Sequence, residues 1–156
     1  MRLSDEIQRF IASSVMIIIG TRDADNRPAI GRAVGARITG QDTLEALVSA
    51  WQWPETVANL AANGQTAMTF ARPTDYVSYQ LKGVADLYAA AAADQALCRD
   101  YCSGMVRLFD GLGVAQVLAA PWLSDRELRV VRLSVREVYV QTPGSKAGTT
   151  VEGHAT

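Results

Sequence analysis

The sequence is poor in the side chains that most often carry chemistry without help. Its only histidine is His154, set in a small, polar tail. A Ser-His-Asp or Cys-His nucleophile needs a rigidly held base, so no such triad is expected, and His154 reads as a surface residue. The only cysteines, Cys98 and Cys102, are spaced to share one face of a helix. Two thiols without a second pair fall short of the four ligands of a structural zinc site. They read as buried small hydrophobes of a reducing compartment, with a redox role as the lesser alternative. A basic excess is missing too: 15 Lys and Arg stand against 16 Asp and Glu, a net charge of −1. That balance argues against a nucleic-acid partner. No apolar run approaches the roughly 18 residues that span a bilayer; the longest compact one is Val15–Ile19. The opening MRLSDEIQRF has no signal-peptide core, so the expectation is a cytoplasmic protein away from membranes. HExxH, GxxxxGK[ST] and GxGxxG are all absent. Asp23 and Asp25 read as turn formers, and Asp75 and Asp86 stand alone. With so little acid–base equipment, an enzyme built on this chain would rely on a cofactor.

What is present fits one compact domain. A chain of 156 residues can bury a real core, and proteins of this size often gain further stability by pairing. We read a domain over residues 1–141 and an irregular tail over 142–156. Ser4 caps a first helix whose apolar face is Ile7, Phe10 and Ile11. Val15–Ile19 reads as a strand buried on both faces. Arg27–Ile38 and Leu44–Ser49 follow as strands across polar turns. Pro54 opens a helix that ends at Asn63-Gly64, with Val57, Leu60 and Ala61 facing inward. Thr66–Ala71 and Tyr76–Tyr88 are further strands, the latter bent at Gly83. A long helix opens near Asp94, with Leu97, Tyr101, Met105, Leu108 and Leu112 as its apolar stripe. Leu128–Val140 is the last strand, and its apolar parity switches near Glu137, which predicts a bulge. The fold class is mainly β: a six-stranded antiparallel barrel with helices over its ends and edges, a β-sandwich being the alternative.

The stretch from Arg27 to Met68 holds the candidate site. Arg27, Arg32 and Arg37 recur in a small, apolar strand, and Trp51 and Trp53 follow where the next strand hands over to a helix. Arginine forks suit a phosphate, and indole rings supply flat apolar area. Together they suit a planar phosphorylated ligand. The plainer alternative makes the arginines solvated edge charges and the tryptophans core.

The order of these elements, with Arg27-Pro28, the Trp-rich loop, Asn63-Gly64, Gln80-Leu81-Lys82-Gly83 and the phrase Val138–Gly144, resembles the FMN-binding split-barrel superfamily. Pyridoxamine 5′-phosphate oxidase is its best-known member. Arg32-Ala33-Val34-Gly35-Ala36-Arg37 is similar to the oxidase pattern of Arg, any residue, Val, two residues, then Lys. The resemblance implies FMN at a homodimer interface. It would put Arg32, Arg37 and Thr56 at the phosphate, and the backbone beside Val34 and Gly35 at the flavin's pyrimidine edge. Val48 and Ser49 fall on the strand end that contacts flavin, Trp51 or Trp53 walls the ring, and Gln80 matches the family's glutamine. Thr56 stands where the oxidase has a lysine, and the oxidase's C-terminal arginine-histidine substrate signature is absent.

The implied activity is hydride transfer at bound FMN, from a nicotinamide or another small-molecule donor. The alternative is a non-catalytic barrel holding haem or another planar ligand. Arg32 and Arg37 fall on opposite faces of a regular strand, so both reach one ligand only if a bulge intervenes, and Gly35 is the natural place for it.

Overall fold

The computed structural model describes residues 1–151, so His154 lies outside the described residues. Its strands are β1 (Met16–Arg22), β2 (Pro28–Ile38), β3 (Thr43–Ser49), β4 (Gln65–Ala71), β5 (Ser78–Ala89) and β6 (Leu128–Val140). They close an antiparallel barrel in the order β1-β2-β3-β6-β5-β4. Ile17, Ile19, Val48, Met68, Phe70, Leu81, Leu133 and Val138 point inward and form the core. The expectation that the first strand is buried on both faces is corrected. Ile17 and Ile19 are buried, whereas Met16 and Ile18 are half-buried, because alternate residues of a barrel strand point outward.

Helix α1 (Asp5–Ile11) closes one end of the barrel. Ser4 accepts a hydrogen bond from the Ile7 amide, and Ile7, Phe10 and Ile11 face the core. Helix α2 (Pro54–Asn63) covers the other end and stops at Gly64, which adopts a left-handed conformation (φ 66°). Thr56 and Leu60 are its buried residues, Val57 is half-buried and Ala61 is exposed, so the inward face lies one residue from the expected one. No helix among the described residues is long and apolar enough to cross a membrane.

Both expected bulges are present. Between β2 and β3 the register steps from Ala33↔Val48 to Ala36↔Ala46, one residue more on β2 than on β3. Gly35 sits in that step with φ 151°, which side-chain-bearing residues rarely adopt. Between β5 and β6 the register steps from Lys82↔Glu137 to Gly83↔Val135, leaving Arg136 unpaired. A Cβ on Gly83 would lie 2.0 Å from the Ser134 carbonyl oxygen, so only glycine fits there.

The segment between β5 and β6 was only partly legible. Helix α3 spans Ala92–Gly111, and a short helix α4 (Gln116–Ala119) and a 3₁₀ turn (Ala120–Trp122) follow it unexpectedly. The buried stripe of α3 is Asp94, Cys98, Met105 and Phe109. Leu97, Tyr101 and Leu108 are half-buried and Leu112 is 45% exposed, so the helix is rotated from the expected stripe. It lies across the outside of the barrel, where Cys98 packs with Val34, Leu47, Leu128 and Val130. After β6 the chain folds back: Val140 donates to Thr149 O at 2.9 Å, and Val151 to Val138 O at 2.8 Å.

Candidate functional site

The outside of the barrel has two faces of different character. The α3 face covers parts of β2, β3 and β6. The other face runs across β2, β1, β4 and β5, and its central row follows from the register. Arg32 pairs with Ile18, Ile18 with Thr69, and Thr69 with Gln80. Paired residues of antiparallel strands point the same way. Arg32, Ile18, Thr69 and Gln80 therefore project outward together, opposite in parity to the buried Ile17, Met68 and Leu81. Gln80 donates from Nε2 to Thr69 Oγ1 at 3.1 Å. The row spans three strand spacings, about 14 Å. The neighbouring row is Ile30, Gly20, Ala67 and Lys82. A groove of about 500 Å³ crosses it, lined by Gly20, Ala67, Lys82 and Arg136 among others. Gly20 and Ala67 leave the sheet almost bare there, a flat floor between charged edges.

Arg32 and Arg37 are not brought together. Arg37 lies past the bulge, opposite Glu45. Its Nε donates to Glu45 Oε2 at 2.8 Å, and its Nη2 lies 2.7 Å from Asp94 Oδ1. Glu45 is 3% exposed and also accepts from Arg132 Nε and Nη2 at 2.9 and 2.7 Å. Burial alone would push the Glu45 carboxyl up, but the bonds from Arg132 and Arg37 outweigh it and hold it below the usual carboxylate range. Burial works against the Arg37 charge as well, and Glu45 and Asp94 overcome that and raise it. Asp94 also accepts from the Ala91 amide at 2.7 Å, which fixes the start of α3. Arg37 thus fastens α3 to the barrel.

Arg32 has no carboxylate partner among the described residues. Its guanidinium lies 4.2 Å from the centre of the Trp122 ring, and only about 10 Å³ of space remains between them and Met105 and Tyr101. That is room for no more than one water. A cation stacked on an indole is stabilised by the ring quadrupole but keeps its full positive charge. Arg32 is therefore an uncompensated cation at the edge of the open face, and Trp122 shields one side of it.

The remaining candidates fall in four places. Val34 and Gly35 lie beneath α3, Val34 in the cluster with Cys98 and Gly35 against Leu47 and Leu97. Val48 points into the core. Thr56 is buried at the end of the barrel, where a Cβ on Gly31 would lie 2.7 Å from its Oγ1 and 3.2 Å from Trp53 Cβ. Ser49 organises the loop after β3: its Oγ donates to Arg126 O at 2.6 Å and accepts from the Gln52 amide at 3.2 Å. In that loop Trp53 packs half-buried against the core, Trp51 is 51% exposed with Arg126 4.6 Å from its ring centre, and Gln52 donates to the Pro121 carbonyl.

Sequence reasoning missed Trp122 and Lys82 as parts of the site. Trp122 lies far from Arg32 along the chain, and nothing local ties the two together. Lys82 had a signal: it is the only lysine of its strand, and the alternation with Leu81 places it outward.

The sequence model described as pyridoxamine 5′-phosphate oxidase matches residues 3–142. No curated protein matches the chain. Among solved structures, a Clostridium acetobutylicum protein related to general stress protein 26, of the pyridoxinephosphate oxidase family, is 15% identical with a TM-score of 0.58. The match covers 94% of this chain and 92% of that one. HupZ of Group A Streptococcus is 17% identical with a TM-score of 0.57, covering 94% and 99%. HutZ, the heme storage protein of Vibrio cholerae, is 18% identical with a TM-score of 0.53, covering 90% and 95%. At these identities the likeness is one of fold.

Proposed function

The chain belongs to the pyridoxamine 5′-phosphate oxidase family, and from that premise we propose that it is an FMN-binding flavoprotein of the oxidoreductase type. The observation that carries this reading is Arg32, a half-buried guanidinium on the open face with no carboxylate partner among the described residues. A cation in that position answers an anion brought by a ligand. The residues of the open face fit FMN. The row from Arg32 to Gln80 is long enough to lay out a phosphate, a sugar-alcohol chain and a three-ring system. Gly20 and Ala67 give a flat floor for the rings, and Gln80 and Thr69 offer hydrogen bonds at the edge.

In this reading Arg32 holds the phosphate, with Lys82 as a second cation at the far edge. Trp51 is free to wall the ring, since it is more than half exposed. Ser49 acts indirectly by holding the loop that carries Trp51. Arg37, Val34 and Gly35 position α3 and do not touch the ligand. Bound FMN supplies hydride transfer, with a nicotinamide as the natural donor. A second copy of the chain covers the open face, making a homodimer with the cofactor at the interface, and a cytoplasmic location belongs to the same reading.

The test begins with the absorption spectrum of freshly purified protein, where a band near about 450 nm indicates flavin. A Soret band instead would favour haem, a reading that draws support from the fold-likeness to a heme storage protein. FMN and riboflavin are then titrated into the wild type and Arg32→Ala. Losing a charge-assisted phosphate contact should weaken FMN by about 1.5–3 kcal/mol, or roughly ten- to hundredfold, and leave riboflavin unchanged. Equal losses for both ligands, or none, would remove Arg32 from the phosphate.

A further inference from the structure

Two thiols and a thioether share the face of α3 that meets the barrel. The Sγ atoms of Cys98 and Cys102 lie 4.0 Å apart, and both cysteines are free. Cys98 is fully buried and Cys102 is half-buried. Met105 lies on the same face, seven residues beyond Cys98, and is 1% exposed. The Leu123 carbonyl oxygen stands 3.9 Å from Cys102 Sγ.

The pair is badly placed for a disulfide. Residues four apart on a helix hold their Cβ atoms about 5–6 Å apart, whereas a disulfide needs roughly 3.5–4.5 Å. Closing it would unwind a turn of α3 where that helix is packed. The same spacing suits a bridging metal. Two metal–sulfur bonds of about 2.3 Å across a 4.0 Å gap make an S–metal–S angle of about 120°. That is a trigonal angle, and it leaves one position for a third donor. Four-ligand borderline cations are not provided for, because no group of three His, Cys, Asp or Glu stands together among the described residues. Thiolate and thioether sulfurs select soft cations such as Cu(I).

We propose that Cys98 and Cys102, with Met105 one turn further along the helix, form a binding site for a soft monovalent cation of the Cu(I) type. The site stands apart from the flavin reading. Binding involves no electron transfer: two sulfur–metal bonds form, and the displaced thiol protons go to the buffer. The hydrogen bond from Cys98 holds the Cys102 thiol below its usual range despite burial, whereas that bond and burial together push Cys98 up. Asp125 acts electrostatically on both thiols. It opposes thiolate charge, and does so less once a monovalent cation neutralises one of the two thiolates.

The experiment is an anaerobic titration of the full chain with Cu(I) against a chromogenic competing chelator, with Zn(II) as the parallel probe. One equivalent of Cu(I) should bind, and Zn(II) should bind at least a hundredfold more weakly. Cys98→Ala and Cys102→Ala should each lose at least a hundredfold in Cu(I) affinity, while Met105→Leu should lose about tenfold. Circular dichroism of each variant separates lost ligation from lost folding. In the unmutated protein, bound Cu(I) should protect Cys102 from iodoacetamide, which needs no variant at all. Binding of Cu(I) to the double alanine variant as tight as to the wild type would overturn the proposal. So would an absence of protection, or a preference for Zn(II).

Discussion

Arg32 and Arg37 belong to the same strand, β2, and a sequence treats them alike. The structure gives them opposite circumstances. Arg37 is held by Glu45 and Asp94 and fastens α3 over one face of the barrel. Arg32 stands at the edge of the other face, stacked on Trp122 and facing no acid. The bulge at Gly35 separates them, but its effect is not to bring both to one ligand. It places Val34 under α3 and turns the strand so that Arg37 registers with Glu45. A charge already met within the chain is structural, and one left unmet is available for binding. The covered face is accordingly where substitutions should cost stability, and the open face is where they should cost binding.

The largest stability effect should come from the covered side. Met105 is 1% exposed and packs with Phe109 and Ala119, where α3 meets α4. Met105→Ala should cost about 2–5 kcal/mol, a fall in Tm of roughly 5–20 °C for a chain of this length. Scanning calorimetry checks this. An unchanged Tm would mean that α3 is not packed as described, and the contrast between the two faces would fail with it.

Next in size is the ion cluster. Glu45→Gln removes the charge that Arg37 and Arg132 share. Both guanidiniums are more than a third exposed, so solvent screens part of the loss, and about 1–3 kcal/mol is expected. The pH dependence has a definite sign. The folded Glu45 carboxyl is held below its ordinary value, so its contribution is fully present above the unfolded carboxylate range, near about 4.3. It is lost as the pH falls through the depressed folded value. The wild type should therefore lose stability more steeply than Glu45→Gln below about pH 4. Parallel acid-unfolding curves for the two proteins would show that the cluster contributes nothing.

These contrasts also mark what could be read from the sequence. The strands were legible because their signals are local. Alternation ran through Leu128–Val140, Pro54 opened a helix, Asn63-Gly64 closed it, and Gly35 and the parity switch near Glu137 announced the bulges. The register of α3 was not legible. Leu97, Tyr101, Met105, Leu108 and Leu112 make one helical stripe, and Asp94, Cys98, Met105 and Phe109 make another that shares Met105 and is centred about 50° away. Composition favours the first, since it contains no acid. The second wins because Arg37 neutralises Asp94, a partner that only the folded barrel supplies. Arg32 was picked out as a site residue from its sequence pattern, but the indole beside it comes from the far side of α3 and leaves no local trace. The parting of Arg32 from Arg37 was half visible. A five-residue spacing puts them on opposite faces of a regular strand, and the bulge that was expected to reunite them serves Glu45 instead.

The smallest effect should come from Ile30, and it tests the open face most sharply. Ile30 is 69% exposed in the single chain, beside Gly20 in the row next to Arg32. A lone exposed isoleucine contributes little to folding, so in dilute solution Ile30→Ala should change stability by no more than about 0.5 kcal/mol. A second copy seated on this face changes the outcome in a specific way. Anything that binds only the folded state raises Tm with concentration, so the wild type should melt higher as the protein is concentrated. Ile30→Ala should reduce that dependence while leaving the dilute value in place. Sedimentation over the same range should show the wild type pairing at lower concentration than the variant. Two proteins with the same concentration dependence would mean that no partner covers Ile30. A variant already destabilised at the lowest concentration would mean that Ile30 packs within its own chain, and the open face would not be open.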